Sequence, residues 1–311
     1  MRALITGGTG NIGSRLAAAL VARGDEVVAL DIRADPSVPS PDFVRVRVWT
    51  GGVDDAALVD RVVGELRPEA IFHLGAILSA QAEERPDLAW RVNLEGTRNV
   101  LEAARRHHVG RVVFTSTIAT YGSGVDLPVT ESTPQWPSGL YGVTKVAGER
   151  LGVYYHHRFG LDFRGIRLAA MVAPRPPAGG AASAFVCELF VAAVRQGAYT
   201  FQVYPTTRVP IVWVGDVVRA LVLLHDAPPE SLRRRVYNII GAGPTVAEMA
   251  AAVTRRLPHV RYTFAPDPVK APIVDSWPAQ MDDSAARADW GWAPQYDLER
   301  MTDATLTELN G

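Results

Sequence analysis

The sequence predicts an α/β fold: a doubly wound parallel sheet with a smaller C-terminal α/β domain. Three observations predict it. Short apolar runs alternate with stretches of helical periodicity through the first half of the chain. A glycine-rich turn, Gly7-Gly-Thr-Gly-Asn-Ile-Gly13, joins the first apolar run to the first helical stretch. The next apolar run ends in an acid, Asp31.

Ala3, Leu4 and Ile5 read as a buried strand, and Ile12, Leu16, Ala19 and Leu20 recur at helical spacing, so a helix starts near Asn11. Gly7, Gly10 and Gly13 lie between them. A tight turn, a backbone approaching a pyrophosphate, and close helix–strand packing each call for a residue without Cβ. The free N–H groups of a helix N-terminus then hold phosphate charge. Glu26-Val-Val-Ala-Leu-Asp31 is the second strand, and its acid follows the glycines by roughly the 20 residues expected of a ribose-binding carboxylate. Together these describe a Rossmann dinucleotide site. Asp31 favours NAD over NADP, because a carboxylate bonded to the ribose hydroxyls repels a 2′-phosphate. Arg33 is the nearby cation that such a phosphate would use.

Residues 32–41 read as a loop and 43–49 as a third, alternating strand. Gly51-Gly-Val-Asp-Asp55 turns into a helix carrying Leu58, Val62 and Val63. Ala70-Ile-Phe-His-Leu74 is the fourth strand, residues 92–106 a helix, and Arg111-Val-Val-Phe-Thr115 the fifth strand. Crossovers of this kind are right-handed, and the ligand belongs beyond the strand carboxyl ends. The large domain is expected over residues 1–165 with parts of 205–240, and the smaller one over 166–204 and 241–311. Within the latter portions and between them, 185–194 reads as a helix, 209–214 as a strand leading to Asp216, and 217–224 as a helix. Thr245-Val-Ala-Glu248 is a capping box that opens another helix.

Composition narrows the function classes. The 311 residues are 48% hydrophobic and 21% charged, ordinary for a soluble globular chain. A net charge of −1 offers no electrostatic case for nucleic acid or an anionic membrane. One cysteine, Cys187, leaves no disulfide framework, and no Cys/His group has metal-ligand spacing. No apolar run approaches the ~20 residues of a membrane span, and the first strand begins almost at Met1, so a cytoplasmic location is expected.

The reaction chemistry sits in Ser116-Thr117 and Tyr141-Gly-Val-Thr-Lys145. Tyr141 and Lys145 are four residues apart and share one face of a helix. A phenol near pKa 10 is a poor base at neutral pH, and a neighbouring ammonium favours its phenolate. Tyr141 then takes the proton of a secondary alcohol, and the Thr117 hydroxyl holds the same oxygen.

With Thr6-Gly-Gly-Thr-Gly-Asn-Ile-Gly13, His73-Leu-Gly-Ala76, Val92-Asn93, Ser116-Thr117 and Tyr141-x-x-x-Lys145 in hand, the chain resembles the extended short-chain dehydrogenase/reductases over its whole length. Tyr141-Gly-Val-Thr-Lys-Val-Ala-Gly-Glu149, Thr207-Arg-Val-Pro210 and Asp275-Ser-Trp-Pro278 are similar to segments of the short-chain L-threonine 3-dehydrogenases. The resemblance implies cofactor contacts at Gly7, Gly10, Asn11, Ile12, Gly13, Asp31, Arg33, Val53, Leu74, Gly75, Ala76, Asn93, Tyr141, Lys145 and Leu168. It implies a substrate site at Ser79, Thr117, Tyr141, Ala182, Ser183, Arg208 and Trp277. Arg208 is either a carboxylate partner in fork geometry or the mate of an acid such as Asp216. Ser79 is either a substrate contact or a helix N-cap.

The departures concentrate in the substrate loop. The threonine enzymes carry Gly-Gly-Gly-Thr-Thr-Asp-Tyr where this chain has Gly179-Gly-Ala-Ala-Ser-Ala-Phe185. The aspartate expected to hold the substrate's ammonium becomes Ala184, and the first threonine becomes Ala182. The loop is more similar to that of D-erythronate dehydrogenases. Gly52 stands where many extended members place an acid near adenine.

The expected function is hydride transfer between NAD and a small, carboxylate-bearing secondary alcohol of the 3-hydroxy acid kind, with a sugar acid as the alternative. A nucleotide-sugar epimerase or dehydratase and a non-enzymatic NAD sensor are the remaining readings. The resemblance also implies a homodimer through a four-helix bundle built from residues 92–106 and 142–157, the second offering Val143, Val146, Ala147, Leu151, Tyr154 and Tyr155.

Overall fold

Alternation along the first strand decides how the sheet is covered. In β1 (Arg2–Thr6), Ala3 and Ile5 join one apolar core and Leu4 joins another on the opposite face. The computed structural model describes residues 1–176, 181–268 and 270–310. Parallel pairing places β2 (Glu26–Asp31) and β3 (Arg47–Thr50) on one side of β1. On the other side lie β4 (Ala70–His73), β5 (Arg111–Thr117) and β6 (Asp162–Leu168) in turn. After β7 (Ala170–Val172), β8 (Ala198–Phe201) and β9 (Ile211–Trp213), the strand β10 (Val236–Ile239) returns to pair with β6 and completes a seven-stranded sheet, order β10-β6-β5-β4-β1-β2-β3. The order turns back at β1 and β4, the crevice where a doubly wound sheet takes its ligand.

Helices cover both faces. α1 (Asn11–Ala22) contributes Leu16, Ala17 and Leu20 to the core that contains Ile5. α2 (Ala56–Leu66) gives Val59, Val62 and Val63 to the core that contains Leu4. Two short helices, α3 (Ser79–Glu84) and α4 (Pro86–Ala89), run through a π-turn at Trp90–Glu95 into α5 (Gly96–Arg106), which covers the Leu4 face with Val100 and Leu101. α6 (Leu140–Phe159) packs on that face too, and Gly152 lets it approach, since a Cβ there would meet Phe163 at 2.2 Å.

A second apolar core lies apart from the two that cover the sheet. α7 (Phe185–Gln196), β7, β9 and α9 (Val246–Arg256) bury Phe185, Leu189, Phe190, Ile211, Met249 and Val253 together. α8 (Val214–Asp226) packs on the Ile5 face, with Val217, Leu221 and Leu224 under the sheet. A strand β11 (Arg261–Phe264) pairs with β8, and α10 (Lys270–Asp275), α11 (Ser284–Trp290) and α12 (Leu298–Asn310) finish the chain. Thr245 and Glu248 form the reciprocal capping box at α9. β6 carries the seven-stranded sheet to Leu168.

One element differs in kind. The strand expected over 43–49 begins only at Arg47, because Asp42–Arg45 is a 3₁₀ turn. Phe43 and Val46 are buried while Val44 is 84% exposed, so the apolar spacing is three, the period of a 3₁₀ turn.

Candidate active site

The glycines act through contacts that a side chain would forbid. Gly7 has φ +68°, and a Cβ there would lie 2.8 Å from the Gly75 nitrogen. A Cβ on Gly13 would lie 2.1 Å from the Gly7 carbonyl oxygen. The turn is thereby pressed against the start of α1, whose N-cap Gly10 makes no side-chain cap bond. The Thr9 hydroxyl and Asn11 Oδ1 are buried without partners beside it, while Asn11 Nδ2 donates to the Arg175 carbonyl at 3.1 Å. Asp31 ends β2, 9% exposed, accepting from the Thr9 and Arg33 backbone N–H groups at 3.1 and 3.2 Å. The Arg33 guanidinium points outward to the Ser37 hydroxyl at 3.1 Å.

Beyond the ends of β4 and β5, Thr117, Tyr141 and Lys145 converge. Lys145 is buried, with Nζ donating to the Thr115 carbonyl at 2.8 Å, 4.7 Å over the Phe114 ring and 5.8 Å from the Tyr141 ring centre. Burial pushes the ammonium down to about 8, against the opposing pull of the Glu149 carboxylate. Loss of water pushes the Tyr141 phenol up to about 12, while its hydrogen bond with Thr117 draws it the other way. The Thr117 hydroxyl also accepts from the Ala119 N–H at 3.2 Å. His73, just beneath, bridges Thr6 and Thr97 at 2.6 and 3.0 Å, and burial, followed by repulsion from Lys145, holds it neutral down to about 3.

Two cavities meet at Tyr141. The inner one, about 160 Å³, is walled by Ile12, Leu74, Ala76, Thr117, Lys145 and Leu168, with Ser183 at its edge. The outer one, about 460 Å³, reaches Glu83, Glu188, Tyr199, Gln202 and Lys270. Ser79, Ala119, Tyr141, Ala181 and Trp277 border both. The inner wall is largely apolar and narrow, suited to a flat ring, whereas the outer chamber is wider and carries the charged side chains Glu83, Glu188 and Lys270 on a mainly apolar wall. Over residues 3–239 the chain matches the NAD-dependent epimerase/dehydratase family.

The chain belongs to that family.

Its cofactor is NAD, and it is an oxidoreductase of a secondary alcohol. Mitochondrial L-threonine 3-dehydrogenase from Bos taurus is 36% identical over 308 residues, covering 98% of this chain and 82% of that protein. The crystal structure of L-threonine dehydrogenase from Phytophthora infestans superposes with a TM-score of 0.93 at 34% identity, covering 100% and 99% of the two chains. The holo form of a GalE-like L-threonine dehydrogenase from Cupriavidus necator gives 0.92 at 33%, covering 99% and 100%.

The residues of this family member fit the dinucleotide. The cradle at Gly7 and Gly13 that a Cβ would fill and the unpartnered Thr9 hydroxyl, a donor, suit a pyrophosphate, and the Asp31 carboxylate offers acceptors to ribose hydroxyls. Gly7, Gly10, Asn11, Ile12, Gly13 and Gly75 would flank the pyrophosphate, Asp31 the ribose, and Leu74, Ala76 and Leu168 the nicotinamide. Bound there, NAD supplies hydride-accepting chemistry.

Three expected contacts lie elsewhere. The Arg208 guanidinium bonds the Gly243 carbonyl, stands 4.0 Å from Glu248 and faces a separate hollow beside Ile240 and Met281. Its acid is therefore Glu248, and Asp216 pairs instead with Arg219 at 3.1 Å. The Asn93 amide is saturated by the Ile77 backbone at 2.7 and 3.0 Å and by Thr144 at 3.2 Å, so it braces the loop after β4 and does not line either cavity. Val53 is packed under Gly96 in the core, its carbonyl taken by Asn99. Ser79 is the first residue of α3, not its cap, and its hydroxyl accepts from the Ala182 N–H at 3.2 Å. Ala182 and Ala184 both face the outer chamber, while Gly179 and Gly180 lie outside the described residues.

Sequence reasoning missed Glu188 and Lys270 in the outer wall and the buried Glu149–Arg167 pair behind Lys145. Glu149 was legible in part, since it follows Tyr141 and Lys145 on the same helical stripe.

Proposed function

We propose that this protein oxidises the secondary alcohol of a small hydroxy acid with NAD. The observation that carries the reading is the meeting of Thr117, Tyr141 and Lys145 at the junction of the two cavities, with the nucleotide fingerprint at one end and, at the other, a chamber that Lys270 and Glu188 border. The substrate hydroxyl lies between the Thr117 and Tyr141 oxygens. Thr117 fixes it and Tyr141 takes its proton, which requires lowering a phenol that burial holds near 12. The buried Lys145 ammonium provides the positive charge for that purpose. Glu83 holds the catalytic helix from the chamber side, accepting from the Leu140 N–H at 2.7 Å.

With Arg208 away from the chamber, Lys270 is the substrate carboxylate's partner, its ammonium 2.6 Å from Gln202 Oε1 on the chamber wall. Ala182 and Ala184 leave the loop without the aspartate that would face a substrate ammonium, so the preferred acid lacks an α-amino group and extends to sugar acids of the erythronate kind. Ser79 and Ser183 address its remaining hydroxyls.

The chain works as a homodimer joined through α5 and α6. Trp90, Val143, Tyr154 and Phe159 are exposed on or beside those helices, between 41% and 53%, more apolar surface than a solvent face needs. Its place is the cytoplasm. Among the described residues no helix is long and apolar enough to cross a membrane.

The deciding experiment offers L-threonine, 3-hydroxybutyrate and four-carbon sugar acids with NAD and follows reduced cofactor by absorbance. A hydroxy acid without the ammonium should give the highest kcat/KM. No turnover of any hydroxy acid would overturn the reading.

A further inference from the structure

Glu149 is 1% exposed and Arg167 3% exposed, behind the reacting side chains. The pair is bidentate, Arg167 Nε to Oε1 at 2.9 Å and Nη2 to Oε2 at 2.7 Å. Ser116 Oγ donates to the same carboxylate at 2.5 Å and Gln135 Nε2 at 3.1 Å. The remaining Arg167 nitrogen donates to the Tyr121 hydroxyl at 2.7 Å, and that hydroxyl lies 2.6 Å from Asn238 Oδ1. Loop, helix and three strands of the large sheet are thus tied at one point.

A buried ion pair adds little net stability, because desolvating two charges offsets their attraction. Its position is more telling. Ser116 stands between Thr115, whose carbonyl holds Lys145, and Thr117, which bonds Tyr141. Arg167 precedes Leu168, a wall of the inner cavity. Glu149 lies one turn beyond Lys145 and two beyond Tyr141, on a stripe of about 80° at ~100° per residue.

We propose that Glu149, clamped by Arg167 and Ser116, is a positioning residue for the reaction, fixing α6 against β5 and placing a negative charge one turn behind the Lys145 ammonium. This rests on the roles given above to Tyr141 and Lys145. The groups around that ammonium come from every packed element: neutral His73 from β4, the Phe114 ring and Thr115 carbonyl from β5, Tyr141 and Glu149 from α6, and Arg167 from β6 behind Glu149. Of these, Glu149 is the carboxylate, and it opposes the burial that strips Lys145 of its proton. Without it, Lys145 deprotonates at lower pH. The active window closes earlier on its alkaline side.

The test compares the wild-type chain with Glu149→Gln and with the double variant Glu149→Leu/Arg167→Met. The double change removes both charges together, so the fold survives even where an unpaired Arg167 unfolds the single variant. Lys145 ionisation is read by NMR of the lysine-labelled chain against the matching Lys145→Met chain, which needs no substrate. Its midpoint should fall by about half a pH unit or more in the double variant. With a substrate, kcat should fall roughly 10- to 100-fold, NAD affinity and KM should stay within about threefold, and the alkaline limb of the pH profile should move to lower pH. Glu149→Asp, which keeps the charge, should restore that limb and only part of kcat. A folded double variant with an unmoved Lys145 midpoint would show the pair to be structural. Absence of turnover by the wild-type chain would count against the function alone, since the ionisation readout stands apart from it.

Discussion

Restoring the missing counter-charge with Ala184→Asp puts the substrate loop to a direct test. Ala184 borders the outer chamber and occupies the N-cap position of α7 with no side-chain cap bond. An aspartate there offers a carboxylate to a substrate ammonium, and the helical backbone at this position (φ −56°, ψ −28°) keeps its side chain from capping the first turn. A hydrogen bond to a charged group contributes about 1.5–3 kcal/mol, so kcat/KM for L-threonine should rise roughly 10- to 100-fold relative to 3-hydroxybutyrate. Ala184→Asn separates charge from shape, because asparagine is nearly isosteric and neutral. The aspartate alone should change the substrate ratio. Glu188 moderates the gain. It sits one turn further along α7 on the same chamber wall, 2.7 Å from the Tyr199 hydroxyl, and already supplies negative charge. Steady-state kinetics for both acids across the three proteins give the answer. A ratio that moves by less than about threefold in Ala184→Asp would refute the assignment of this position to the ammonium.

Tyr141→Phe should retain NAD binding by calorimetry and lose turnover by about 10²–10⁴-fold, the usual worth of a general base. For the wild-type chain, kcat/KM should fall above about pH 8, where Lys145 sheds its proton and the phenolate loses its support; a flat profile from pH 6 to about 9 would contradict the mechanism. NAD should outperform NADP because Asp31 receives the Thr9 and Arg33 N–H groups and faces the ribose with its charge, and equal kcat/KM for the two cofactors would dismiss that account. Light scattering at micromolar concentration should report a dimer, which Tyr154→Glu, an exposed residue of α6, should dissociate; a monomeric wild-type chain would remove the four-helix bundle.

What the sequence determined by itself was local. Gly7, Gly10 and Gly13 announce a pyrophosphate turn because the absence of a Cβ is a property of single residues, and here a Cβ at Gly13 would collide with backbone of the same motif and one at Gly7 with the loop after β4. Tyr141 and Lys145 share a face because helical spacing alone puts them there, and Thr245 with Glu248 closes its capping box within one turn. The unbroken apolar run Ala3-Leu-Ile5 was enough to foretell a buried strand, and the structure covers it on both faces. Tertiary structure decided which charges meet. Arg208 and Lys270 are equally cationic on paper, yet the first is drawn to Gly243 and Glu248 while the second stands on the chamber wall. Asn93 looks free to bind a cofactor until the Ile77 backbone is folded onto both ends of its amide. Glu149 becomes a buried ion only when β6 delivers Arg167 against α6. Periodicity reports which face of an element turns inward, but the partner waiting there comes from a distant part of the chain, and its charge and reach set the chemistry.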